Sequence, residues 1–179
     1  SLALTIAMWV KSPAVNTNGR YLMDARNGGN WWLIMDYVPS ACDVEPTPST
    51  DECPCNDTEG NICFHSKVQI PASMLENNTW YHVAVTSNAT ASKIYLDGNL
   101  IDTGEGLDPS FGADLRIGAR HTDTGKFIGE MDEIRIFERA LSEQEIVSLV
   151  ESSYAFWNIE DQVWTGTCHT CAEGTWDHD

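Results

Sequence analysis

The chain has 179 residues, of which 42% are hydrophobic, so it can bury one sizeable core but is short for two ordinary domains. Its 27 acidic residues against 10 basic ones give a formal charge of −17, and so negative a surface repels nucleic-acid phosphates and anionic lipid head groups. We therefore expect no nucleic-acid partner and no direct membrane insertion. No run approaches the roughly 20 apolar residues of a membrane span.

Short apolar or alternating runs, rich in β-branched and aromatic residues, recur along the chain between turn-forming residues. This spacing predicts an all-β sandwich. A tight hairpin is expected at Asp97-Gly98, because that dipeptide stands between two apolar runs. The predicted strands cover residues 4–11, 20–25, 31–37, 62–69, 79–87, 92–97, 115–118 and 128–137.

Between the third and fourth predicted strands lies an inserted loop, residues 38–61, without apolar periodicity. So long a stretch is usually functional or held by cross-links, and cysteines in and beside the loop favour cross-links. The single predicted helix follows the last strand. Ser142 can cap its start, and Glu145 can complete a capping box ahead of Ile146. We expect this helix to be short.

Two features indicate an extracellular chain, secreted or displayed on a cell surface. The first is an even number of cysteines, which favours disulfides. The second is the presence of three N-glycosylation acceptor triplets, which begin at Asn56, Asn77 and Asn88. The cysteines are Cys42, Cys53, Cys55, Cys63, Cys168 and Cys171, and six cysteines allow 15 connectivities.

Four segments in a fixed order carry a recognisable pattern: LTIAMWVK at 4–11, TWYHVAV at 79–85, IYLDG at 94–98, and FIGEMDEIRIF at 127–137 followed by RALS at 139–142. The pattern resembles the laminin-G-like and pentraxin-like jelly-roll domains of the concanavalin A-like superfamily. The resemblance covers residues 4 to 150. It implies a jelly roll of two packed antiparallel sheets, with binding surfaces at edges and loops. Trp9 and Trp80 then suit core packing, and His82 a structural role.

The same resemblance implies calcium as a cofactor, because pentraxin-like members supply oxygen ligands from two loops. In this chain the matching positions are Asn30 and Asp123, with Asp24 as an added ligand; a calcium site wants six to eight oxygens. A carbohydrate platform is expected at Trp31 and Trp32, since adjacent strand residues point to opposite faces and one of the two faces outward. We expect the bound glycan to contact Asn30 as well.

Members of this family carry a strand before the segment that starts at Leu4, and this chain begins at that segment. We therefore expect a piece of a longer precursor, with a jelly roll at 1–152 and a Trp- and Cys-rich tail at 153–179. Residues 154–160 look like an opening strand. That strand either completes this sheet or begins a following module.

Catalysis is not expected. Glucanases of this fold carry a Glu-x-Asp-x-Glu or Glu-x-Asp-x-x-Glu strand. Here Glu130-Met131-Asp132 begins that motif, but Ile134 and Arg135 stand where the third acid belongs. Asp132 and Glu133 are expected to accept hydrogen bonds from neighbouring backbone or arginine donors instead.

Zinc is an alternative for the cysteines, through Cys168-x-x-Cys171 and Cys53-x-Cys55, although the acceptor triplets favour disulfides. We therefore expect a non-catalytic extracellular module that recognises a glycan. The alternative is an assembly module that pairs with an extracellular protein or with neighbouring domains of the same precursor.

Overall fold

The computed structural model describes residues 3–13, 20–25, 32–35, 61–65, 67–107, 115–120 and 125–157. Within these ranges the chain forms ten strands, one 3-10 turn at Ala72–Met74 and one α-helix. The elements in chain order are β1 Leu4–Lys11, β2 Arg20–Asp24, β3 Trp32–Met35, β4 Ile62–Phe64, β5 Val68–Ile70, β6 Trp80–Ser87, β7 Ala91–Leu96, β8 Asn99–Glu105, β9 Arg116–Ile117, β10 Glu130–Phe137 and α1 Glu143–Trp157.

The strands form two antiparallel five-stranded sheets that face each other. Sheet A has the order β10-β1-β6-β7-β8, and sheet B has the order β5-β4-β3-β2-β9. Three neighbouring pairs, β10-β1, β1-β6 and β2-β9, join strands that are far apart in sequence, as in a jelly roll. The all-β two-sheet fold predicted from the strand spacing is therefore confirmed.

The core lies between the two sheets and follows from alternation along the strands. In β1 the residues Leu4, Ile6, Met8 and Val10 face sheet B and are almost fully buried. Every second side chain of a strand points to the same face, so the intervening residues of β1 lie on the outer face of sheet A. Trp9 is one of these, so its burial comes from packing against His82 rather than from the inter-sheet core expected for it.

Among the described residues, the sandwich is closed on one side and open on the other. On the closed side β5 packs against β7 and β8, and Gly104 comes so near that an added Cβ would lie 2.0 Å from the carbonyl oxygen of Lys67. On the open side β9 and β10 are the edge strands, and Ile117 and Ile136 are 49% and 40% exposed. The two sides therefore offer different surfaces.

Helix α1 covers the outer face of sheet A. Ile146 packs on Ala7, Ala84 and Tyr95 in a second, smaller apolar cluster. The link into the helix is anchored by the buried Thr5, whose hydroxyl donates to the carbonyl oxygen of Arg139 at 2.7 Å and accepts from the amide of Leu141 at 2.9 Å. No helix among the described residues is long and apolar enough to cross a membrane.

Strand β8 is not among the predicted strands, although the predicted hairpin leads into it, and two predicted elements differ markedly from the structure. The predicted strand 62–69 is two strands, because His65 adopts a φ of 47° and the amide of Lys67 donates to Phe64 at 3.0 Å, which reverses the chain. The helix is longer than expected. Because it continues to Trp157, residues 154–157 are helical rather than the start of a strand, and 158–160 lie outside the described residues.

The predicted hairpin and helix start are confirmed. Asp97 and Gly98 adopt φ values of 48° and 80° between β7 and β8, as a two-residue hairpin requires. At the start of α1 the amide of Glu145 donates to the Ser142 hydroxyl oxygen, and the amide of Ser142 donates to the Glu145 carboxylate. Asn61, placed in the inserted loop by the sequence, is buried and bonds to Ala72 and Gln69.

Candidate functional site

The residues expected to bind glycan or calcium fall only partly within the described residues. Asp24 ends β2, where it is fully buried. In sheet B it pairs with Trp32 on one side and with Arg116 on the other. Asn30, Trp31 and Asp123 lie outside the described residues.

The segments that contain Asn30 and Asp123 join the described chain near opposite ends of β2. Residues 26–31 follow directly on Asp24 and Ala25. Residues 121–124 are flanked by Arg120 and Gly125, and both of these contact Tyr21 near the other end of the strand. With about 3.3 Å per strand residue, the two attachment points are roughly 10 Å apart.

The described residues do not form a calcium site. They contain no group of three or more His, Cys, Asp or Glu side chains placed to hold a metal ion. Asp24 is the one predicted ligand among them, and a single carboxylate falls far short of six to eight oxygens. Calcium binding is therefore a prediction without support from the described residues.

A surface that the sequence did not reveal lies beside β9. We define the β9 surface as Tyr21, Arg116, Ile117, Arg120 and Lys126. The guanidinium carbon of Arg120 lies 5.9 Å from the ring centre of Tyr21, within the range of a cation–π contact. The amide of Tyr21 donates to the carbonyl oxygen of Gly125 at 3.0 Å, and Tyr21 forms a β-bridge with Lys126, so the backbone of Tyr21 is held against the 125–127 segment.

The β9 surface differs in charge from the rest of the molecule. It carries three of the chain's ten lysine and arginine residues, whereas the whole chain has a formal charge of −17. Ile117, which follows Arg116 in β9, adds an exposed apolar side chain. The combination of an aromatic ring, guanidinium donors and exposed apolar surface is typical of binding sites.

The sequence could not have revealed this arrangement. Tyr21 and Arg120 are 99 positions apart, and Tyr21 alone is one aromatic residue in a strand. Arg120 lies next to the loop in which the family resemblance implies the calcium ligand Asp123, and a basic residue was not expected there. Only the pairing of β2 with β9 brings the two side chains together.

The acidic side chains of β10 form an ion pair and hydrogen bonds with neighbouring residues. Glu130 pairs with Lys11 at 2.7 Å, and the Asp132 carboxylate accepts from the amide of Glu133 at 2.7 Å. Glu133 in turn accepts from Arg135 at 2.9 Å and from the hydroxyl of Ser153. The expectation that Asp132 and Glu133 accept from backbone and arginine donors is confirmed.

Other predicted residues are distributed over the molecule. Cys63 is buried in β4 and disulfide-bonded; Cys42, Cys53, Cys55, Cys168 and Cys171 lie outside the described residues, as does Asn56. His82 is buried against Trp9, with ring centres 5.4 Å apart. Asn77 is exposed in a turn before β6, and Asn88 lies between β6 and β7.

Comparison with known proteins places this geometry in a family. A laminin G family model, described as the concanavalin A-like lectin/glucanases superfamily, matches residues 1–147. A curated relative is the rat (Rattus norvegicus) sushi, von Willebrand factor type A, EGF and pentraxin domain-containing protein 1. It is 27% identical over 166 residues, which cover 84% of this chain and 4% of that protein. The chain thus spans a small part of this relative's length.

Two solved structures share the fold. Domain 4 of AbnA, an extracellular GH43 arabinanase from Geobacillus stearothermophilus in complex with arabinotriose, has a TM-score of 0.55 at 20% identity, with 83% of this chain and 66% of that chain covered. A native heptameric SAP-like pentraxin from Limulus polyphemus has a TM-score of 0.57 at 16% identity, with 83% and 69% covered.

The family match extends over most of the chain and ends within α1, whose Ser142 and Glu145 cap it as the sequence pattern predicted. The two sheets and their jelly-roll order agree with the matched structures. This chain belongs to the laminin-G-like family of the concanavalin A-like lectin/glucanases superfamily.

Proposed function

We propose that this domain is a non-catalytic extracellular module that binds a carbohydrate at the β9 surface. The observation that carries the proposal is the Arg120 guanidinium, which lies over the Tyr21 ring. The predicted glycan contacts are still Asn30, Trp31, Trp32 and Asp123. Three of them belong to residues 26–31 and 121–124, and these two segments join the described chain near the two ends of β2.

The chemistry of this surface suits a sugar. A pyranose or furanose ring offers apolar C–H groups that pack on aromatic and aliphatic side chains, and hydroxyls that accept from arginine and lysine. Basic groups in so acidic a chain also attract carboxylated or sulfated sugars over neutral ones. The arabinotriose complex of the arabinanase domain supports a carbohydrate ligand for this fold.

Binding to an array of immobilised glycans tests the proposal. Arg120→Ala should lower the affinity for any bound glycan at least about tenfold, because it removes charge-assisted donors at the surface. Lys67→Ala is the matched control, since Lys67 is a surface base on the closed side of the sandwich, where it pairs with Glu105 at 2.8 Å. Equal loss of affinity in both variants, or retained binding in Arg120→Ala, would contradict carbohydrate binding at the β9 surface.

Calcium binding is tested in a separate experiment. Thermal unfolding is followed with calcium and with a chelator, because a ligand bound only to the native state raises the melting midpoint. A calcium-dependent rise that Asp123→Ala abolishes would establish the ion at the predicted loop. An unchanged midpoint would leave a calcium-independent carbohydrate module.

A second function, assembly with another protein, is favoured by the open side of the sandwich. β10 is an edge strand of sheet A; Ile136 within it is 40% exposed, and Ile128 just before it is 56% exposed. An edge strand can pair with an added strand from another chain or from a neighbouring domain, while the exposed isoleucines cover apolar partners.

Sedimentation distinguishes the two functions. If the open side mediates assembly, the domain should self-associate or bind a flanking segment of its precursor, and Ile136→Lys should abolish that association. Arg120→Ala should leave it unchanged. A strictly monomeric domain that also fails to bind flanking segments would exclude assembly through this edge.

A further inference from the structure

A cleft of about 340 Å³ lies on the outer face of sheet A, remote from the β9 surface. One wall is the turn between β6 and β7, which contributes Asn88. The other wall is the first turn of α1, which contributes Glu143 and Gln144, and the floor includes Lys93 and Tyr95. This volume is at the lower end of small-ligand pockets, roughly 300 Å³ and above.

Asn88 is held in a fixed orientation at the rim of this cleft. Its Oδ1 accepts three hydrogen bonds: from the amide of Thr90 at 2.8 Å, from the hydroxyl of Thr90 at 2.7 Å and from the amide of Ala91 at 3.0 Å. Nδ2 has no hydrogen-bond partner within the described part of the chain. The Oδ1 atom is therefore occupied by hydrogen bonds, whereas the Nδ2 atom is available to react.

The hydrogen bonds of Asn88 are local. The Thr90 hydroxyl and amide are two positions from Asn88, so this turn needs no tertiary contacts and is available to the chain before folding is complete. Asn88-Ala89-Thr90 is also an acceptor triplet for N-glycosylation. The same hydroxyl that defines the triplet is the one bonded to Oδ1.

We propose that Asn88 carries an N-linked glycan and that the first sugars of this glycan lie in the cleft. The transfer joins Nδ2 of Asn88 to C1 of a sugar from a lipid-pyrophosphate-linked oligosaccharide. The bond between C1 and the pyrophosphate oxygen breaks, the lipid pyrophosphate leaves with the electron pair, and Nδ2 gives up one proton to the transferring enzyme.

The cleft has the donors and acceptors that a neutral sugar requires. Lys93 and Glu143 form an ion pair at 2.9 Å across it, so their charges balance each other while spare N–H groups and a carboxylate oxygen remain. The Gln144 side chain is exposed on the rim and has no hydrogen-bond partner in the described ranges. Its amide can both donate to and accept from a hydroxyl.

Asn77 provides a contrast within the same chain. It heads another acceptor triplet and is exposed, but it does not line the cleft, and the hydroxyl of Thr79 donates to its backbone oxygen at 3.5 Å rather than to its side chain. A glycan at Asn77 would therefore not begin at the rim of this cleft.

The first experiment expresses the full chain through a eukaryotic secretory pathway and maps its glycopeptides by mass spectrometry. The peptide that contains Asn88 should carry the glycan, Thr90→Ala should lose it and Thr90→Ser should keep it. Peptide N-glycosidase in heavy-oxygen water should then label Asn88 as aspartate. Secreted protein with Asn88 unmodified would overturn the proposal, and no variant is needed to see it.

The second experiment tests whether the sugars lie in the cleft. Gln144→Ala should lower the melting midpoint of the glycosylated chain by about 2–4 °C, the effect of one lost hydrogen bond in a domain of this size. It should leave the enzymatically deglycosylated chain unchanged. Equal shifts in both forms, or none in either, would show that the glycan extends into solvent instead. Neither result depends on carbohydrate binding at the β9 surface.

Discussion

His82 is a buried histidine whose ring contacts that of Trp9. Its ring packs edge-on against Trp9, its backbone amide donates to the Asp97 carboxylate at 2.8 Å, and Arg135 lies near enough for charge repulsion. Burial, reinforced by the charge of Arg135, lowers the pKa of His82 from 6.5 to about 4. The folded domain therefore holds this ring neutral.

This lowered pKa makes stability depend on pH. The unfolded chain binds a proton at His82 below pH 6.5, whereas the folded chain does so only near pH 4, so stability is lost as the pH falls from 6.5 to 4. The loss from this group should reach roughly 3 kcal/mol. His82→Gln should flatten that part of a urea-unfolding series between pH 4 and 8. An equally steep series in the variant would assign the slope to other groups.

Thr5 joins strand β1 to the link before the helix through both roles of one hydroxyl. Thr5→Val keeps the shape but leaves the buried amide of Leu141 without an acceptor, which should cost about 1–3 kcal/mol. Thr5→Ser keeps the hydroxyl and loses one buried methyl, about 1 kcal/mol. In denaturant unfolding, the free energy of unfolding of Thr5→Ser should exceed that of Thr5→Val. A Thr5→Val variant as stable as the parent would show that the hydroxyl does not stabilise this link.

The first turn of helix α1 is also bound to the link before it, because Glu145 of its capping box accepts from Arg139 as well. Arg139 donates two hydrogen bonds to the Glu145 carboxylate, at 2.9 and 2.7 Å, and these, with the Ser142 donors, lower the pKa of Glu145 to about 2. The contribution of Glu145 is therefore present above about pH 4.5 and is lost as the pH falls toward 2. The helix start is tied to the link that follows β10.

Ser142→Ala removes the cap and should destabilise the domain by about 1 kcal/mol. Ser148→Ala is the matched control, since Ser148 lies within the same helix, is exposed, and bonds only to the carbonyl oxygen of Gln144. Alanine should be neutral or stabilising there. Thermal unfolding followed by circular dichroism checks both, and equal midpoints would mean that packing alone fixes the helix start.

Elements with strong local signals could be predicted from the sequence, and those that depend on one backbone angle could not. Strand β1 and the Asp97-Gly98 hairpin follow from alternation and turn chemistry, which act over a few residues. The division between β4 and β5 depends on the positive φ of His65, a conformation that few histidines adopt and that no neighbouring residue announces. Helix length was likewise underestimated, because the aromatic run at 154–157 suits a strand as well as a helix.

Across the whole molecule, sequence reasoning placed the fold but not the surfaces. The jelly roll follows from a pattern spread over four segments, each with a local cause. The β9 surface and the cleft beside α1 need residues from distant elements, such as Tyr21 with Arg120 and Asn88 with Gln144. Such pairs depend on sheet order, which local propensity does not determine.

The closed side of the sandwich can be tested at Gly104, where the two sheets come closest. Alanine there would place its Cβ 2.0 Å from the Lys67 carbonyl oxygen, which forces β8 away from sheet B. Because backbone must move, Gly104→Ala should cost more than about 2 kcal/mol, whereas Thr103→Ala at the adjacent exposed position should stay within about 0.5 kcal/mol. Urea unfolding measures both. If the two variants unfold at the same midpoint, β8 does not seal the sandwich, and both sides of the molecule are open to an added strand.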